Sequence, residues 1–181
     1  VKRVCVFCGS ATGRDPRYRE SAKELGRLLA ERGKELVFGG GCVGLTGVVA
    51  DEVLARVGRV TGVIPEALMA REIGHRGVQD LRIVPDMHVR KATMAGLADA
   101  FISLPGGYGT LEELFEVATW AQLGIHGKPV GLLNVAGFYD GLVRQVDRAI
   151  PEGFVAPTRR LLLAESPAAL LDSVERSAAE S

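Results

Sequence analysis

A dominant sign of charge is absent: 22 Lys and Arg are matched by 22 Asp and Glu. The chain therefore has no general electrostatic pull on nucleic acid or on an anionic membrane surface. Long hydrophobic runs are missing too. Nothing approaches the roughly 18 apolar residues of a spanning helix, and no N-terminal stretch joins a basic head to an apolar run and a cleavage site, so a soluble, cytoplasmic protein is expected. Cysteine is sparse, with only Cys5, Cys8 and Cys42. That odd set does not form a secreted disulfide framework and fits a reducing compartment. Cys5 and Cys8 make a C-x-x-C, but Cys5 lies within the apolar run Val4-Cys5-Val6-Phe7 rather than at a helix start, so both read as small buried residues. The three histidines, His75, His88 and His126, show no ligand spacing with Cys or carboxylates, and no metal is expected. Ser10 lacks the G-x-S-x-G surroundings of a nucleophile elbow. Internal repeats, linkers and low-complexity segments are absent as well.

What is present is enough apolar material for one core: 181 residues, 47% hydrophobic, read as a single domain over 1–181. Short apolar runs at 4–7, 35–38, 59–64, 81–84, 100–104, 130–135 and 161–164 read as strands. They alternate with helical patterns at 15–31, from the end of the glycine turn at 39–47 to about 56, and at 87–97, 111–123, 139–150 and from 167 onward. The segment 66–78 is expected to be a short helix and loop. Continuous rather than alternating apolar strands, separated by helices, predict a parallel sheet covered on both faces: a Rossmann-like, doubly wound α/β fold. Ligands in such folds collect beyond the carboxyl ends of the strands. Gly9-Ser10, Gly39 to Gly44, Asp86 to Lys91 and Pro105 to Glu113 all fall there.

The stretch Leu104-Pro105-Gly106-Gly107-Tyr108-Gly109-Thr110-Leu111-Glu112-Glu113 organises the rest. A strand ends in a glycine turn and a helix begins, with Thr110 expected as its N-cap, so backbone N–H groups are presented to an anion. Glu113 has a second reading, as the N3 partner of a capping box begun by Thr110, and Glu112 reads equally well as a solvated first-turn acid. Gly39-x-Gly41-x-x-Gly44 matches a dinucleotide fingerprint, but it follows the second strand, and its glycines could equally serve close packing. Arg90 and Lys91 sit early in a helix capped by Asp86. Two cations at the positive end of a helix dipole suggest a bound anion, a solvated basic pair being the alternative. The helix from Leu111 to Leu123 is apolar on more than one face, which implies burial in this core or against a second subunit.

Gly39-Gly40-Gly41-x-x-Gly44-Leu45, Met87-His88-x-Arg90-Lys91 and Pro105-Gly106-Gly107-x-Gly109-Thr110-x-x-Glu113 together resemble the Lonely Guy family of nucleoside 5′-monophosphate phosphoribohydrolases, long mislabelled as lysine decarboxylases. The likeness extends over nearly the whole chain, including Trp120 to His126 and Lys128 to Asn134. Thr46 departs from it, since Met is common at that position. The resemblance implies hydrolysis of an adenosine 5′-monophosphate, N6-substituted or plain, to free base and ribose 5-phosphate, with no cofactor or metal. It makes Arg90 and Glu113 the catalytic pair. Glu72, Met87, Lys91, Gly106, Gly107, Tyr108, Gly109, Thr110, Leu111, Glu112 and Thr119 would line the nucleotide site, and Gly9, Ser10, Gly40 and Gly41 would add contacts. It also implies a homodimer with sites near the subunit interface. A non-catalytic nucleotide or cofactor carrier is the main alternative. A decarboxylase would need pyridoxal phosphate on a lysine, for which only Lys91 lies near the site.

Overall fold

The computed structural model describes residues 1–69, 74–157 and 161–180. Its strands are β1 (Arg3–Phe7), β2 (Glu35–Phe38), β3 (Val60–Pro65), β4 (Asp80–Val84), β5 (Ala100–Ser103), β6 (Val130–Leu133) and β7 (Leu162–Ala164). Between and after them run α1 (Pro16–Glu31), α2 (Gly44–Leu54), α3 (Glu66–Met69), α4 (Met87–Leu97), α5 (Tyr108–Gln122), α6 (Asp140–Ala149) and α7 (Pro167–Ala179). The strands form one sheet in the order β4-β3-β2-β1-β5-β6-β7, with every pairing parallel. Winding reverses between β1 and β5, so the crevice of this doubly wound fold opens where Gly9-Ser10 meets Pro105-Gly106.

The strand composition follows from burial on two sides. In β1, Val4 and Val6 face the layer of α1, α2 and α7, while Cys5 and Phe7 face that of α4, α5 and α6. In β5, Ala100 and Ile102 face the first layer and Phe101 the second. Burial on both faces favours apolar residues along a central strand, with Ser103 at the end of β5 and Thr61 in β3 as buried polar exceptions, and this removes the alternation an edge-exposed strand would show.

The register of the central turn differs from expectation. β5 stops at Ser103, and α5 begins at Tyr108 with Gly107 as its N-cap, three residues before the expected cap at Thr110. Gly107 supplies an extended cap residue without a capping side chain. Thr110 is instead inside the first turn, 4% exposed, and packed so closely on Gly106 that a Cβ there would lie 2.1 Å from its Oγ1. The expected capping box does not form, because Thr110 is already helical and Glu113 lies a further turn along. Asp86, by contrast, caps α4 as expected, its carboxylate accepting from the Val89 N–H at 2.8 Å.

Candidate functional site

Three loops at the carboxyl ends of the strands are tied together through Gly9. Its N–H donates to the Pro105 carbonyl (3.1 Å) and its carbonyl accepts from the Leu45 N–H (3.0 Å). Both of its backbone groups are thus engaged in the scaffold. The Thr46 hydroxyl adds a 3.4 Å bond to the same carbonyl, which a Met at that position could not make. On the other side, the Tyr139 hydroxyl, buried at 1% exposure, donates to the Leu104 carbonyl immediately before the glycine turn. A fourth tie joins the Gly39 loop to the segment after residue 73: the His75 N–H donates to the Gly40 carbonyl at 2.8 Å, and Gly41 bridges Gly74.

These loops enclose a cavity of about 390 Å³. One wall is the start of α5, with Gly107, Tyr108, Gly109, Thr110, Glu112 and Glu113. Opposite are Ser10, Gly39, Gly41 and Thr46, and the remaining sides are Met87 and Arg90 from α4 with Val43, Ile64 and Leu68. Gly107, Tyr108 and Gly109 are exposed at the mouth, where the first N–H groups of a helix have no intrahelical acceptor. An anion there meets both those donors and the positive end of the helix dipole.

Arg90 and Glu113 face one another across the cavity floor. Arg90 Nη2 and Glu113 Oε1 are 3.7 Å apart, with side chains 14% and 11% exposed. That spacing is an ion pair without a hydrogen bond. Among the described residues, Arg90 Nη1 reaches the Met87 sulfur, at 3.5 Å, and the buried Arg90 Nε has no hydrogen-bond partner. The guanidinium lies against Gly39, where a Cβ would sit 1.7 Å from Nη2. Glycine at this position is therefore a requirement of Arg90 placement rather than of the turn. Burial, partly countered by Arg90, raises the Glu113 pKa from 4.5 to about 6. The Cys8 thiol, which also borders the cavity, is pushed up to about 12 by burial and stays protonated at neutral pH.

The expected site residues thus divide. Ser10, Gly41, Met87, Arg90, Gly107, Tyr108, Gly109, Thr110, Glu112 and Glu113 border the cavity. Gly9, Gly40, Gly106 and Leu111 are scaffold or backing residues, and Glu72 lies outside the described residues. Lys91 does not border the cavity; its ammonium lies 2.9 Å from Glu112 Oε1 and 3.1 Å from Glu116 Oε1. Thr119 is exposed, six residues beyond Glu113 on α5. Sequence reasoning did not single out Gly39 as the seat of Arg90, the apolar wall residues Ile64 and Leu68, or the Tyr139 tie. Gly39 was visible as part of the glycine run, but its contact with a helix 50 residues on was not. Among the described residues no group of three metal-ligating side chains occurs, and no helix is long and apolar enough to cross a membrane.

Residues 46–174 match the family described as "Possible lysine decarboxylase". Cytokinin riboside 5′-monophosphate phosphoribohydrolase LOG7 of Arabidopsis thaliana is 56% identical over 166 residues, covering 92% of this chain and 76% of the relative. LOG of Oryza sativa subsp. japonica is 56% identical over 168 residues, covering 93% and 69%. Among solved structures, the molybdenum cofactor binding protein of Rippkaea orientalis shares the fold with a TM-score of 0.73 at 21% identity, over 97% of each chain. On the strength of more than half identity across nine-tenths of its length, this chain belongs to the Lonely Guy family of cytokinin riboside 5′-monophosphate phosphoribohydrolases.

Proposed function

We propose that the chain hydrolyses the N-glycosidic bond of adenosine 5′-monophosphates, N6-substituted or plain, releasing the free base and ribose 5-phosphate. The observation that carries this reading is the pair Arg90 and Glu113: a buried guanidinium with an orphaned Nε, 3.7 Å from a buried carboxylate, beside an open helix N-terminus. An unsatisfied buried donor costs on the order of 1–3 kcal/mol, and a ligand oxygen between the two groups removes that cost.

The phosphate sits on the N–H groups of Tyr108, Gly109 and Thr110, which fixes the ribose in register and holds its anomeric carbon over the cavity floor. As the C–N bond breaks, its electron pair leaves with the base and positive charge develops on the sugar. The ionised Glu113 carboxylate stabilises that charge and takes a proton from the attacking water, whose oxygen joins the anomeric carbon; the departing base gains a proton in return. Arg90 orients the carboxylate and binds a ligand oxygen through Nε. A Schiff-base decarboxylase is poorly served, since Lys91 does not line the cavity and its ammonium is held by Glu112 and Glu116.

The working unit is a homodimer joined through α4, α5 and the turn after α5, where Val89, Phe115, Leu123 and Ile125 are exposed. Such pairing accounts for Thr119, which is out of reach of this chain's own cavity, and sedimentation should return twice the 19.3 kDa of one chain. The three cysteines are unpaired, in keeping with a cytoplasmic location. Chromatography of the products formed from N6-isopentenyladenosine 5′-monophosphate and from AMP tests the reaction. Free base should be released from at least one of them. Nucleotide binding with no base above a Glu113→Gln control would favour the carrier alternative.

A further inference from the structure

Leu104 to Gly107 carry the chain from β5 to the helix start that faces the cavity, and the carbonyls along this turn are pinned. Leu104 accepts from the Tyr139 hydroxyl, Pro105 from the Gly9 N–H (3.1 Å) and Gly107 from the Leu111 N–H (3.1 Å). Tyr139, Gly9 and Leu111 do not border the cavity, so these carbonyls, the negative ends of their peptides, are turned away from the seat of an anion. A planar trans peptide points its N–H opposite to its carbonyl, so holding the carbonyl also aims the amide. The Leu104-Pro105 peptide is a special case, because Pro105 has no N–H. Turned towards an anion, it offers an oxygen and nothing to bind with. Leu104 is fully buried, and among the described residues Tyr139 is the one donor to its carbonyl.

Tyr139 is itself placed by Asn134, the residue after β6. Asn134 Oδ1 accepts from the Tyr139 N–H (2.7 Å), Nδ2 donates to Asp140 (2.8 Å), and the Asn134 N–H is tied to Ala164 of β7 (2.8 Å). The chain between them turns tightly enough to hold Ala136 at φ 55°, which a non-glycine residue keeps only where its surroundings enforce it. Burial raises the pKa of the Tyr139 phenol, so its proton stays available to donate.

We propose that Tyr139 is a positioning residue for the nucleotide phosphate: through the Leu104 carbonyl it sets the turn that aims the first N–H groups of α5, and Asn134 sets Tyr139. This role rests on the reading of the α5 start as the phosphate seat. Without the hydroxyl, the buried carbonyl swings towards another donor and carries the glycine turn with it. The loss then falls on recognition of the phosphate and spares the nucleoside, whereas a general loosening of the fold weakens both.

Calorimetry with AMP and with adenosine, in the Glu113→Gln background so that neither is consumed, measures the two affinities separately. Tyr139→Phe should weaken AMP binding about tenfold and change adenosine binding less than about twofold. Asn134→Ala should do the same. The double variant should lose no more AMP affinity than the larger single loss, because both residues act along one chain of contacts. Val174→Ala, a core truncation in α7, controls for general loosening and should leave the ratio of the two affinities at the parent value. An unchanged AMP affinity in Tyr139→Phe, an equal loss for adenosine, additive losses in the double variant, or the same change of ratio in Val174→Ala would each overturn the proposal. Should Tyr139→Phe fail to fold, Asn134→Ala decides on the same ratio. A parent protein that binds AMP no more tightly than adenosine would instead refute the phosphate seat itself, and the role of Tyr139 with it.

Discussion

Glu113→Gln should make the protein more stable at neutral pH while removing its activity. The carboxyl is 11% exposed and burial lifts its pKa from 4.5 in the unfolded chain to about 6 in the fold. Because the folded value is the higher one, the fold favours the protonated acid. That contribution is fully present below pH 4.5 and is lost as pH rises through about 6. The shift of about 1.5 units corresponds to about 2 kcal/mol of stability forgone above pH 7. Glutamine keeps the shape and has no proton to lose, so the variant should melt about 4–8 °C higher at pH 7.5 for a domain of this size. At pH 5 the Glu113 carboxyl is largely protonated in the fold, and the gain should shrink to under about 1 kcal/mol. Thermal denaturation of both proteins at the two pH values measures the difference. An equal gap at pH 5 and pH 7.5, or a less stable variant at pH 7.5, would refute the claim that Glu113 is held in a strained, desolvated state.

The same titration governs turnover: with Glu113 acting as the ionised group, kcat/KM should fall as pH drops through about 6, and a rate independent of pH between 5 and 7 would argue against it. Gly39→Ala places a Cβ 1.7 Å from the Arg90 guanidinium and should reduce kcat/KM about 100-fold by displacing that side chain. Its melting temperature should change little, because the Arg90 end of the clash is a side chain that can move. Tyr139→Phe leaves the Leu104 carbonyl without its buried donor and should destabilise the protein by about 1–3 kcal/mol in denaturant titration.

The layered fold was legible because parallel strands buried on both faces leave unbroken apolar runs, as in Val4 to Phe7 and Ala100 to Ile102. The convergence of the glycine loops was legible for a related reason: each lies directly after such a run. Helix starts were less so. Asp86 announces the start of α4 with a capping carboxylate, whereas α5 is capped by Gly107 without a capping side chain, so the first conventional capping side chain, Thr110, misdirected the boundary by three residues. Side-chain direction was not legible at all. Arg90 and Lys91 look alike in sequence, and only the orientation of α4 over the sheet sends one into the cavity and the other to Glu112 and Glu116. Thr119 falls outside the cavity because it lies six residues beyond Glu113 along α5, on an exposed face.

The central claim is that a helix N-terminus, Arg90 and Glu113 together cleave a nucleoside 5′-monophosphate. It is tested most directly by measuring free base and ribose 5-phosphate from one N6-substituted nucleotide, with nucleotide binding determined in parallel for the wild type and Glu113→Gln. Base and sugar phosphate should form in equal amounts with the wild type, and the rate should fall at least 1,000-fold, about 4 kcal/mol of barrier, in a variant that still binds the nucleotide. Equal turnover by both proteins, or binding by the wild type without any release of base, would contradict the account.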